Sequence, residues 1–495
     1  MVPTCPAGSP VDGECLDVEV PPFPLAVAGW NMERAYPGIE YRTRVAVRGG
    51  VYPYTFSLAA APDGMMVEEH TGRIAWVPAA AAAPVMVRVE VVDSVGGTLT
   101  HVFNVEATTR GFFFVSLQGE DSAQADGSRD HPWQTLGYAS APARGHAEDA
   151  VLYFRDGVHL LSTLGDAQVG SVGTPTRWMG YPGEHAIMDA EGSVGLGLRM
   201  APDARGLFQG LEFRNAEGKM FWVGSNTRHV VWRNNVMHDI DSEGAHNPAF
   251  VFFEDGDARP AEGRIQYDDL VMQDNVFHDL RNDVGHGGAV VLYNVARLLF
   301  EDNEIYRIAG RCLGDKDDGF QNIFRHNICH DTEGGLRLEN QYTQAEIEVS
   351  HNLFYRVGDG VTVGWQPGWL RDVWVHHNTL VDAALVFRWV LNEPDSGNVH
   401  VYRNVVVVSA EAPISANENG GDDAIVGGRV HFDGNLYWSP SGNVYSGRWG
   451  GRTETLASWQ EDGQDRHSVF VDPGLVNNAL PAASPYRGTY GRFDP

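Results

Sequence analysis

The chain has 495 residues, 43% of them hydrophobic, and sets 36 basic against 65 acidic side chains for a net charge of -29. That length exceeds what one compact core usually holds, so two domains are expected, and the charge argues against nucleic acid or an anionic membrane surface as partner. No apolar run approaches the roughly 20 residues of a membrane-spanning helix. An acidic polysaccharide fits this charge only where cationic groups or bound metal offset it locally. Lysine occurs at Lys219 and Lys316 alone, so each invites a question.

Residues 1–20 read as a loose polar tail. Cys5 and Cys15 lie close together in it with no core around them, the setting in which a disulfide forms, and this points to an exported protein, secreted or at the cell surface. No signal peptide is visible at Met1, so the sequence reads as a mature fragment with an added start. Residues 21–108 alternate apolar and polar positions in short runs broken by Gly, Pro and Asp, as in YRTRVAVRGG and PVMVRVEVVDSVGGTLTHVFNVEA. That pattern predicts a small antiparallel β-sandwich. The stretches Gly49-Gly50, Pro53-Tyr54-Thr55-Phe56, Pro62-Asp63-Gly64, Thr71-Gly72-Arg73-Ile74 and Val91-Val92-Asp93-Ser94 resemble the cadherin-like, immunoglobulin-fold modules of bacterial exported proteins. The resemblance implies a separate spacer or accessory module, dispensable for catalysis.

Residues 109–495 change style. GFFFVSLQGEDSAQADGSRDHPWQTLGYASAPA resembles the entry to right-handed parallel β-helix proteins, in which a short helix caps the first coil and covers its apolar end and open strand edge. A unit of apolar-x-apolar-x-x-Asn-x-apolar then recurs at Asn235, Asn275, Asn303, Asn327, Asn352, Asn378, Asn404 and Asn435, with steps of 25, 26 and 26 residues from Asn327 to Asn404. This period, carrying short strands and no helical pattern, predicts a stacked solenoid, an all-β right-handed parallel β-helix preceded by the small sandwich. The asparagines are expected to stack inward as a ladder. The longer steps before Asn275 and Asn303 place AHNPAFVFFEDGDARPAEGRIQYDD and RNDVGHGGAVVLYN as loops beside a cleft. The pairs His238-Asp239, His278-Asp279 and His330-Asp331 read as a solvated turn column rather than a metal site. Trp459 to Pro473 resembles the closing segment of the same β-helix proteins. Cys312 and Cys329 fall at apolar positions of the repeat, as buried thiols or as a second bridge.

The strand after each asparagine turn can be stacked by period-two alternation. Counted this way, Phe250, Val290, Cys312, Leu336, Val361 and Leu385 point inward. Tyr293, Asp315, Glu339 and Arg388 fall in one outward column, with Arg337 in another. Asn294, Lys316, Asn340, Trp365 and Trp389 come at the strand ends. Coils about 4.8 Å apart would gather these on one polar, aromatic-edged face suited to sugar rings. Elimination beside a uronate needs its carboxylate neutralised and a base for the α-proton; a desolvated lysine serves as base where arginine does so with difficulty.

Such a face resembles that of polysaccharide lyases on this fold. In the alginate and chondroitin lyases of family 6 a Lys and an Arg on neighbouring coils carry these roles, and Lys316 and Arg337 are the matching residue types. The chain departs from that family at the adjoining positions, with Lys316-Asp317 in place of Lys-Ser and Arg337-Leu338-Glu339 in place of Arg-His-Gly. Counting from the asparagine turn puts Glu339 in the arginine's register. Asp315, Asp317, Asp318 and Glu339 offer hard oxygen ligands for Ca²⁺, similar to the clustered aspartates of family 9 pectate lyases. The resemblance implies a secreted lyase acting on alginate, pectate or a glycosaminoglycan; a monomer is expected, and His286 or Tyr293 is the base if Lys316 proves to be only a salt-bridge partner. Two further readings are a glycoside hydrolase using Asp315 or Asp318 with Glu339, and a non-catalytic glycan-binding adhesin using the tryptophans.

Overall fold

The computed structural model describes residues 20–492 apart from 145, 148, 166–167, 171–176, 193–196, 242–246, 254–264, 282–286, 367, 389–395, 411, 417–423, 426 and 448–451. Cys5, Cys15, His286 and Trp389 lie outside the described residues.

The N-terminal module is built from three small sheets. Tyr54–Ala60, Ala82–Asp93 and Thr98–Ala107 pair antiparallel, with Arg34–Ala35 on the far edge of Thr98–Ala107. Tyr41–Arg44, Arg73–Trp76 and Met66–Val67 form the second sheet, and Ala26–Ala28 with Ala46–Arg48 the third. In Ala82–Asp93, Val87, Val89 and Val91 are buried while Arg88 and Val92 are exposed, the period-two pattern of a strand with one face in a core.

From Phe112 onward a single 33-stranded sheet winds through the rest of the described chain, its coil-to-coil pairings parallel until the antiparallel Asn443–Gly447/Thr453–Thr455 pair at the end. A coil carries three strand segments, and the second and third run on as one strand in Glu304–Phe320, Ile328–Glu339 and Leu353–Val363. Sheet A precedes the asparagine turn, as in Val230–Arg233; sheet B follows it, as in Val236–Asp241; sheet C closes the coil, as in Ala249–Phe253. The chain is a right-handed parallel β-helix with a continuous apolar interior. Its first coil is covered by the helix Leu136–Ser140, capped by Thr135 and anchored by buried Trp133. At the other end the helix Leu456–Glu461 inserts Trp459, whose Nε1 donates to Asp465 Oδ2 at 2.9 Å.

The asparagine column is the internal scaffold. Each Nδ2 from Asn235 to Asn404 donates 3.0 Å to the Oδ1 of the next asparagine, and Asn435 ends the ladder on Asp465 Oδ1. The residue before each asparagine has positive φ: Asn234, Asp274, Asp302, His326, His351, His377, Arg403 and Gly434. A left-handed residue makes the corner tight enough for amides to stack, and it is the position where Asn, Asp and Gly cost least. Asn303→Ala should cost about 3 kcal/mol, because the backbone N–H of Asn275 and the carbonyl of Met272 lose buried partners. Chemical denaturation would read this as a lower midpoint; an unchanged midpoint would make the ladder passive.

The module is docked, not tethered. Val87, Val89 and Phe56 share one buried cluster with Leu207, Val231, Val271, Leu299 and Ile323 on the outer face of sheet A. Arg44 reaches across to Asp274, Glu301 and Asp302, and Arg325 reaches back to Tyr54 and Val47. The module's core is thus distinct from the solenoid interior and is closed by the outer face of sheet A.

Candidate active site

Sheet C carries the chemistry, and its register decides which side chains meet. The strand Glu304–Phe320 holds one residue more than Ile328–Glu339 between Ile308 and Arg311, with Gly310 at φ 133°. A bulge of this kind turns over every side chain beyond it relative to a count from the asparagine turn. Lys316 thus aligns with Tyr293 and Glu339, and Asp315 with Leu292 and Leu338. The inward column is Val251, Val290, Leu313, Leu336, Val361 and Leu385, which corrects the count by one residue at Phe250 and Cys312. Cys312 is bridged to Cys329 on the next coil, resolving the choice between thiols and disulfide.

Asp315, counted as an outward metal ligand, instead faces the solenoid interior. It is wholly buried and accepts from Asn322 Nδ2 at 3.0 Å. Burial, with Glu339 and Asp317 nearby, pushes its carboxyl up to about 7 against a hydrogen bond from Asn322 that favours the anion. The folded state thus binds this proton more tightly than the unfolded chain. Its contribution is complete below about pH 4 and is lost as pH rises through about 7. Asp315→Asn should therefore be more stable than the parent by up to about 4 kcal/mol at pH 8 and nearly equal to it at pH 4. Thermal unfolding at the two pH values measures this, and a gain independent of pH would contradict it.

On the outward face the cations converge. Glu339 pairs with Arg311, lies 3.8 Å from Lys316 Nζ through Oε2, and 3.8 Å from Arg337 Nη1 through Oε1. Lys316 Nζ donates to Asn247 Oδ1 at 3.2 Å and to the Tyr293 hydroxyl at 3.3 Å, and Asn247 Nδ2 donates to the same hydroxyl at 3.1 Å. Burial pushes the Lys316 ammonium below the ordinary lysine range; Glu339 opposes the shift, Arg311 and Arg337 add to it. Burial, with Arg311 alongside, likewise lowers Arg337 to about 10. Gly288, Gly314 and Gly334 surround Arg311, and a Cβ at Gly314 would stand 3.2 Å from its Cδ, so the guanidinium lies flat on the sheet only over glycine.

Of the residues singled out in the sequence, Lys316, Arg337, Glu339 and Tyr293 come together here. Trp365 lies beside them: the Arg337 and Arg388 guanidiniums are 3.8 and 4.5 Å from its ring centre, so the part-exposed ring helps hold both arginines. Arg388 also pairs with Asp359 at 2.9 Å. Asn294 and Asn340, counted as substrate-binding, are buried and hold the backbone: Asn294 accepts from Asp318 N, and Asn340 bonds Gly368 O and Trp365 N. Asp318 likewise accepts the Thr343 amide, and Asp317 takes the left-handed corner beside it. The aspartates do not assemble a Ca²⁺ site, since Asp315 is turned away from them, and among the described residues no three carboxylate, imidazole or thiol groups converge as a metal set. Two members of the site escape a reading of the sequence. Arg311 is hidden by the bulge, although its glycine neighbours one coil away on each side are a usable signal. Asn247 lies in a long loop where no periodicity singles it out.

Fold and site together define a β-helix protein with a buried lysine and paired arginines on one sheet face. Residues 191–380 match the family model described as right handed beta helix region. No curated protein sequence matches the chain. Among solved structures, XylC in complex with xylose is similar at 11% identity, covering 74% of this chain and 87% of that one, with a TM-score of 0.43. The pectate lyase Pel9A is similar at 11% identity over 76% and 82%, TM-score 0.38. The A-module of the Azotobacter vinelandii mannuronan C-5 epimerase AlgE6 is similar at 14% identity over 66% and 97%, TM-score 0.36.

Proposed function

We propose that the chain is a secreted polysaccharide lyase that cleaves a uronate-containing polymer by β-elimination. The observation that carries this reading is the convergence of Arg311, Lys316 and Arg337 on one buried carboxylate, in a chain whose net charge is -29. Glu339 can offset only one of these cations, so the cluster keeps a net positive charge with which to meet an anion from solution. Arg337 and Arg311 would hold the sugar carboxylate and stabilise the charge that spreads into it as the α-proton leaves. Lys316, whose burial favours the neutral amine, would take that proton on Nζ. The electron pair forms the new C=C bond, the glycosidic C–O bond breaks at the β-carbon, and the leaving oxygen is protonated by the Tyr293 hydroxyl or by water. Neutralisation of the substrate is assigned to the arginines, so no step is routed through Ca²⁺. The Cys312–Cys329 bridge supports an oxidising, extracytoplasmic setting.

The carboxylate-pair hydrolase loses support because Asp315 faces inward and Asp318 is engaged by the Thr343 amide. Incubation with alginate, polygalacturonate and glycosaminoglycans, followed by absorbance of the unsaturated product end, tests the proposal. New reducing ends without that absorbance would mean a hydrolase, and intact polymer with measurable binding would mean an adhesin.

A further inference from the structure

Both lysines of the chain lie on the outward face of sheet C. Lys219 opens the strand Lys219–Val223, and its column runs through Ala249 and Gly288 to Arg311. The neighbouring outward column runs Arg199, Trp222, Phe252, Val291, Gly314, Arg337. Three coil steps separate Lys219 from Arg311, about 14 Å at about 4.8 Å per step. Small residues floor that interval in one column, and Trp222 and Phe252 followed by Val291 line the other. Lys219 Nζ lies 4.4 Å from the Phe252 ring centre and 5.1 Å from that of Trp222, and the Arg199 guanidinium lies 5.1 Å from Trp222. Trp222 meets Phe252 edge-on at 5.4 Å, and Phe252 meets Tyr293 at 5.9 Å, so the aromatic run ends on the ring beside Lys316.

We propose that Lys219, Arg199 and the Trp222–Phe252 pair form a distal subsite that binds a carboxylate-bearing sugar of the same polymer whose reacting unit sits at Lys316. The inference rests on the proposed lyase reading and adds the length and direction of the substrate: an extended acidic oligosaccharide lying along the solenoid axis across at least four coils. A uronate offers a carboxylate to the cations and an apolar ring face to an aromatic, and this strip sets the part-exposed Trp222, backed by the buried Phe252, beside Lys219 and Arg199. A second copy of the chain is disfavoured as occupant by its net charge of -29.

The test compares wild type with Lys219→Gln and Trp222→Ala on dimers and octamers of alginate and polygalacturonate. KM on the octamer should rise about tenfold with kcat within about twofold, and the dimer should be processed as before. Trp222→Phe, which keeps a ring, should retain most octamer affinity, and unchanged thermal midpoints exclude misfolding. Equal effects on dimer and octamer, or no effect on the octamer, would overturn the subsite. Equilibrium binding of octamers separates the two claims. If wild type cleaves nothing but Lys219→Gln still weakens octamer binding about tenfold, the lyase reading fails and the subsite stands. If cleavage proceeds and octamer binding is indifferent to Lys219, the subsite fails alone; if wild type binds no octamer, both fail.

Discussion

Lys316→Arg should lower turnover by about three orders of magnitude or more while leaving glycan binding nearly intact. The substitution keeps the positive charge, most of the bulk and a donor toward Asn247 and Tyr293, but removes the neutral form that accepts a proton. In the parent, burial holds the lysine below its ordinary range, so the rate should climb with pH and its midpoint should lie below that of free lysine. Lys316→Ala should lose the same rate and some binding too. Near-parental turnover in Lys316→Arg would leave the lysine as a partner of Glu339 only, and Tyr293 would become the better base.

Arg325→Met should destabilise the whole chain by about 3–5 kcal/mol, the cost of breaking a buried ion pair from one side. Arg325 is 1% exposed and spends its guanidinium on Glu301, on the Tyr54 hydroxyl at 2.6 Å and on the Val47 carbonyl at 2.8 Å, while lying 4.9 Å from the rings of both Tyr52 and Tyr54. The methionine would leave Glu301 with Arg44 and Gln273 and leave two module groups without their partner. Arg73→Met, at the half-exposed rim of the same interface, should cost less than about 1 kcal/mol because solvent screens its pairing with Asp274. Denaturant midpoints of the two variants decide the matter; equal losses would mean that the interface is held by its apolar cluster alone. By the same reasoning, a chain lacking residues 1–108 should aggregate, because Leu207, Val231, Val271, Leu299 and Ile323 would face water.

The solenoid was legible because its determinants repeat locally. An asparagine flanked by apolar residues at fixed offsets states its own turn without knowing what lies on the next coil. The first capping helix and the closing segment from Trp459 were legible in the same way, whereas the helix Leu456–Glu461 in that closure was not. The aromatic, cationic character of sheet C was also present in the residue types themselves, as was the oddity of two lysines in a chain of arginines.

What tertiary structure alone decided is everything that depends on register across coils and on docking between surfaces. One extra residue near Gly310 exchanges the faces of Asp315 and Lys316 relative to a count along the chain, because strand alternation has a period of two and a single insertion inverts it. Arg311 entered the site and Asp315 left it for that reason. The contacts of Arg44 and Arg325 across more than 200 residues carry no local pattern, since the groups they meet are chosen by which outer face of the solenoid the module covers. Alternation and turn chemistry are properties of neighbouring residues and are written in the sequence; the partner of a buried charge is a property of packing, and only the folded chain supplies it.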